Sequence, residues 1–126
     1  LLTYKKFSIK VEKSKERLLK LFENLKNQNL KIIGYGATAK SCTVLNYCGI
    51  GKKHIDFFYD TTSFKINKHL PGSKIKIKKY KKLTRNDADI VFLGAWNFKE
   101  EIFKKEKLFI KNKGKFITHV PLPKII

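Results

Sequence analysis

Methionine is absent from these 126 residues, and arginine nearly so. Arg17 and Arg85 are the two exceptions among 29 basic residues, which outnumber the 10 acidic ones and leave a formal charge of +19. Such a charge points toward an acidic partner, nucleic acid or a phosphorylated ligand. Scarce arginine argues against the first, because arginine is the side chain that reads guanine edges and grips phosphate with two bonds. The lysines are also spread along the chain rather than gathered into one arm, so most of them are expected to be solvated surface, with no specific nucleic-acid partner. Long apolar runs are lacking too. The stretch from Ile90 to Trp96 is strand-sized, far below the ~20 residues of a membrane span, and no basic-then-apolar leader opens the sequence. Cysteine is limited to Cys42 and Cys48. Six positions apart on one expected helix, they point in divergent directions and are poorly placed for a disulfide. With no second cysteine pair and few histidines there is no zinc pattern, so both are expected as packed thiols in a reducing, cytoplasmic setting. The missing methionine and the start at Leu1 lead to the expectation of a piece of a longer chain.

What remains is ample for one hydrophobic core: 42% hydrophobic residues and 13% aromatics in a chain of single-domain length. Leu18, Leu19, Leu21, Phe22 and Leu25 fall on one helical face and predict a helix over 11–29, with Ser14 or a neighbour as its cap. LKIIGY (30–35) reads as a buried strand, and 37–47 as a helix stopped by Gly49 and Gly51. HIDFFY (54–59) is a second strand finishing at Asp60. A loop follows over 61–74, with its Pro71-Gly72 turn, and then a short lysine-flanked edge strand at Ile75 and Ile77. ADIVFLGA (88–95) is the clearest buried strand. A second long helix is expected over 98–112, stopped at Gly114, and a last strand over 115–120 before Pro121 and Pro123. Strands alternating with helices imply right-handed crossovers and a mainly parallel sheet covered on both faces. The expectation is one α/β domain over 1–126, three-layered and Rossmann-like, with about five strands.

The segment that carries chemistry is Gly34-Tyr35-Gly36-Ala37-Thr38-Ala39, a G-x-G-x-x-A run directly after a strand and opening a helix. Gly34 permits the sharp turn, Gly36 lets a ligand approach the backbone, and Ala39 allows close helix–strand packing. The helix then directs free N–H groups at the loop, a natural place for phosphate, with Lys40 adding charge. Asp60 stands where this fingerprint expects a carboxylate for a ribose hydroxyl. Taken alone, these features favour a dinucleotide such as NAD in a redox or regulatory module; a glycine turn needed only for packing is the plainer alternative.

The wider sequence points elsewhere. GYGATAKSCTVLNYCGI (34–50), the strand ending at Asp60, the Leu70-Pro71-Gly72 loop, Ala95-Trp96-Asn97-Phe98 and the proline-rich exit together resemble the C-terminal domain of the S-adenosylmethionine-dependent sugar C-methyltransferases, which methylate nucleotide-linked deoxysugars. The resemblance implies the substrate-side part of an enzyme. S-adenosylmethionine, a zinc module and the catalytic His and Tyr residues would belong to upstream regions absent from this fragment, which would be inactive alone. In the chemistry that the family suggests, a base removes a proton beside a keto group and the enolate attacks the methyl sulfonium. This part would bind the nucleotide-linked sugar through Gly34 to Lys40, with Asp60, Trp96 and Asn97 nearby. The lysine content is a departure from such domains.

Other candidates carry two readings each. Trp96 stacks on a base or sugar, or closes the core. Asn97 caps the following helix or bonds a ligand hydroxyl. Tyr35 borders the ligand or packs. Asn46 suggests a buried hydrogen bond. His54, His69 and His119 lie in separate elements, and none stands beside an obvious acid; of the three, His69 stands out because it lies in a loop.

Overall fold

The computed structural model describes residues 2–119 and 124–126, with the side chains of 2–12, 14 and 124 outside the description. A helix α1 (Leu2–Asn27) leads into β1 (Ile32–Tyr35), α2 (Ala39–Cys48) and β2 (Phe58–Asp60). A long connection with a 3-10 turn at Ser63–Lys65 leads to β3 (Ile77–Lys79), and β4 (Ile90–Leu93) follows. A 3-10 turn at Trp96–Phe98, α3 (Lys99–Lys105), α4 (Lys107–Lys111), β5 (Lys115–Thr118) and β6 (Lys124–Ile125) complete the order. The sheet runs β3-β2-β1-β4-β5-β6. The first five strands pair in parallel, and β6 returns antiparallel beside β5.

Alternation along the strands builds two cores. Ile32, Phe58, Ile90, Phe92 and Ile117 face α1 and α2, meeting Phe22, Leu25 and Leu45. Ile33, Tyr59, Val91, Leu93 and Phe116 face the other way, against Ile102 of α3 and Phe109 of α4. Each buried aromatic or aliphatic side chain contributes about 1.5–3 kcal/mol, so a strand filled on both faces is the strongest local commitment of the chain. The register Ile33↔Val91 and Gly34↔Phe92 fixes β1 beside β4. A Cβ at Gly34 would collide with the Phe58 ring, which explains why that strand position is glycine.

Several boundaries differ from the sequence expectation. α1 begins at Leu2 and contains Ser14 rather than being capped there; no proline or glycine between 2 and 10 interrupts it. β2 and β3 occupy 58–60 and 77–79, later than expected, because parallel pairing with β1 selects the register. The helix expected over 98–112 is two helices broken at Glu106, whose backbone (φ −107°, ψ 31°) leaves the helical region. The strand expected over 115–120 ends at Thr118, and the exit at Pro121 and Pro123 lies outside the described residues. Cys42 and Cys48 are both free.

Candidate functional site

At the C-terminal edge of the sheet, β1 ends between β2 and β4, and the chain leaves β1 and β4 toward opposite faces. This is the crevice where ligands bind in open α/β sheets. The loop after β1 is held by a carboxylate. Asp60, at the end of β2, accepts from the Ala37 amide at 2.8 Å through Oδ2 and from the Thr62 amide at 2.8 Å through Oδ1. Burial pushes its carboxyl up, but the amides of Thr62 and Ala37 and the nearby Lys65 outweigh that, and its pKa is lowered. Lys65 donates to the Ala37 carbonyl at 3.0 Å. Thr38 caps α2 reciprocally: its hydroxyl accepts from the Ser41 amide at 3.1 Å, while Ser41 Oγ accepts from the Thr38 amide at 3.0 Å. The amides of Ala39 and Lys40, in the same first turn, donate to no acceptor among the described residues.

The loops after β1 and β4 interlock. Gly36 holds φ +87°, a conformation that glycine adopts without strain, and a Cβ there would lie 2.7 Å from Ala95 Cβ. A Cβ at Gly94 would strike the Gly36 carbonyl oxygen. On the side where a Cβ would stand, Gly36 is packed against Ala95. Glycine serves here for loop-to-loop contact.

Three depressions meet at this hub. A crevice of about 320 Å³ is bordered by Tyr35, Gly36, Thr38, Asp60 and Tyr80. A groove of about 580 Å³ runs beside α2, past Ala37, Thr38, Ala39, Cys42, Phe64 and Lys68. Across α2, a depression of about 460 Å³ is lined by Ala39, Lys40, Thr43, Val44, Trp96 and His119. The structure thus brings most of the sequence-predicted residues together. Gly34 is the exception within the loop, lying inside β1. Trp96 is half-buried with Lys40 Nζ 5.8 Å from its ring centroid. Asn97 is exposed in the 3-10 turn and borders none of the three depressions. Its expected capping role is not realised: Phe98 is the residue preceding α3, and no side chain caps that helix.

Sequence reasoning missed a buried acid behind Tyr80, which borders the crevice. Glu106, fully buried, accepts from the Tyr80 hydroxyl and from the Leu83 amide at 3.0 Å. Burial, then the bond to Glu106, pushes the Tyr80 hydroxyl well up. Burial likewise raises Tyr35, whose ring meets that of Tyr80 edge-on at 5.6 Å. Both phenols therefore remain protonated hydrogen-bonders near neutral pH. The Thr38–Ser41 cap was legible as a polar pair three apart; Lys65 and Glu106 carried no local signal. Of the histidines, His54 is buried, and its Nδ1 accepts from the Gly51 amide at 3.2 Å, a structural role. His69 is exposed and borders the large groove. Asn46 makes its hydrogen bond, donating to the Pro71 carbonyl at 3.1 Å, from an exposed position. Among the described residues no cluster of three or more His, Cys, Asp or Glu side chains could hold a metal ion, and no helix is long and apolar enough to cross a membrane.

Comparison with known proteins shows the family. A family model described as the C-methyltransferase C-terminal domain matches residues 1–121. C-methyltransferase NovU of Streptomyces niveus is 36% identical over 123 residues, covering 98% of this chain and 29% of NovU. The chain thus spans under a third of that relative's length.

Proposed function

Because the chain belongs to the family of C-methyltransferase C-terminal domains, we propose that it is the substrate-side domain of a cytoplasmic, S-adenosylmethionine-dependent C-methyltransferase acting on a nucleotide-linked sugar. The observation that carries the reading is the opening turn of α2. Its Ala39 and Lys40 amides lack acceptors among the described residues, and the Lys40 and Lys65 side chains lie in the depressions on either side. Open amides at a helix start among ammonium groups suit a diphosphate.

The same residues do not suit S-adenosylmethionine. Its sulfonium is a cation, and the depressions carry Lys40, Lys65, Lys68 and Lys105. The cofactor and the methyl-transfer step therefore belong, in this proposal, to the rest of the enzyme, and this chain binds and orients the sugar nucleotide. The NAD reading loses support because the family that the chain belongs to is one of methyltransferases.

The test is an amide NMR titration with thymidine diphosphate, a thymidine diphosphate-linked deoxysugar, NAD and S-adenosylmethionine. Shifts at Ala37, Ala39, Lys40 and Thr62 are expected with the two thymidine ligands and none with S-adenosylmethionine. A response to NAD alone would replace this reading with the dinucleotide one.

A further inference from the structure

We propose that the lysine-lined edge at β3 binds the phosphate backbone of a nucleic-acid duplex without reading its sequence. This surface lies apart from the depressions around α2, and the inference is independent of the substrate-side reading. Residues 61–86 hold eight lysines and Arg85 but no aspartate or glutamate. Elsewhere the cations are interrupted: Glu12, Glu16 and Glu23 punctuate α1, and Glu100 and Glu101 open α3. Within the acid-free segment Lys74, Lys76, Lys78, Lys79, Lys81 and Lys82 are all exposed, while Ile75 and Ile77 between them are buried. β3 is the last strand of the sheet beside β2, so this row of ammonium groups follows an outer rim. None of the six borders the depressions described above. Among the described residues none of them has a carboxylate or hydrogen-bond partner; the salt bridge found there joins Arg85 to Asp89. The charge along the rim is therefore uncompensated, and its potential adds.

Three features choose the partner. An acidic peptide laid along a sheet edge gains affinity from main-chain hydrogen bonds, and here those bonds are already taken. The Asn67 amide donates to the Ile77 carbonyl at 2.9 Å, the Ile77 amide to the Lys68 carbonyl at 2.8 Å, and the Leu70 amide to the Ile75 carbonyl at 2.8 Å. The rim thus offers charge without a free backbone ladder over 75–77. A single strand of nucleic acid is held by aromatic rings on which its bases stack. The rings nearest the rim are covered instead: Lys78 Nζ lies 4.2 Å from the Phe57 centroid, and Lys105 Nζ 4.0 Å from that of Tyr80. A duplex needs neither ladder nor ring, and it carries one phosphate per about 1.7 Å of its axis. Scarce arginine rules against base reading but not against this contact, because a lysine ammonium neutralises phosphate as a point charge.

The experiment follows the fluorescence anisotropy of labelled duplex DNA and duplex RNA, titrated with the 126-residue chain between about 50 and 200 mM salt. The variant K76Q/K79Q/K81Q/K82Q removes four exposed ammonium groups and leaves Ile75, Ile77 and the Lys78–Phe57 contact in place. It should make the log–log salt slope shallower by about 3–4 on the bound duplex. K99Q/K104Q/K107Q/K111Q loses the same charge from exposed positions on α3 and α4, and should change the slope by less than about 1. The half variants K76Q/K79Q and K81Q/K82Q should each give about half of the full effect, which keeps the test independent of any one variant's folding. Equal losses from the edge and the helices would assign binding to net charge alone and overturn the proposal. Displacement of the duplex by poly-L-glutamate more readily than by unlabelled duplex at equal charge would also overturn it, in favour of an acidic protein. Tighter binding of one duplex would support the site and identify the source as DNA or RNA.

Discussion

Replacing Asp60 by asparagine tests the latch between β2 and the glycine loop. The wild-type carboxylate accepts two amide hydrogen bonds of 2.8 Å, one on each oxygen. An amide side chain supplies one acceptor; its NH2 would meet the other backbone N–H donor to donor. Hydrogen bonds to a charged group contribute about 1.5–3 kcal/mol each, and screening at this half-exposed position keeps the sum near the lower end. The expected loss is about 2 kcal/mol, equivalent to roughly 8 °C in Tm for a domain of this size. The pH dependence supplies a second readout. Because the native pKa is lowered, this stabilisation is fully present above the unfolded-state value of about 3.9. It disappears as pH falls through the native value. Urea unfolding of wild type and D60N should therefore differ at pH 7 and converge in acid. Equal stability at pH 7, or a gap that persists undiminished in acid, would refute the latch.

Glu106→Ala strands the Tyr80 hydroxyl and the Leu83 amide; a loss of about 3 kcal/mol in denaturant unfolding is expected, and Y80F in that background should cost little more. Gly36→Ala meets both a positive φ and Ala95, so a loss of about 1–3 kcal/mol is expected, partly recovered by the double variant G36A/A95G. Burial lowers the pKa of His54, so its neutral form stabilises the fold above the unfolded value of about 6.5. That contribution is lost as pH falls through the lower native value; stability measured from pH 7 to 5 should fall in wild type and fall less steeply in H54N, where half-buried His119 still contributes. Half-buried Cys42 should be alkylated by iodoacetamide well before buried Cys48, whose thiol burial pushes up.

The fold was legible where a segment's burial pattern admits one solution. IVFL and IIGY are apolar on both faces, which only a central parallel strand satisfies, and the glycine run between β1 and α2 marks the crevice. Boundaries set by pairing were not legible: HIDFFY contains more strand-forming residues than β1 leaves room to pair. Tyr80 lies in a lysine run that reads as an exposed edge, and its partner Glu106 sits in a helical pattern of charged residues. Only the fold brings them together, at the residue where the helix breaks. Asp60 was read for its place at the end of a strand; that its two oxygens also accept amides of its own loops had no local signal.

The contact of Gly36 with Gly94 and Ala95 makes the loop after β1 and the turn carrying Trp96 one mechanical piece. A ligand arriving at the α2 start meets walls that folding has already set, so little conformational entropy remains to be lost on association. Affinity should then depend on contacts more than on ordering. Any substitution that loosens the glycine contact should weaken binding at Trp96 and at the loop together, even though neither side chain is touched.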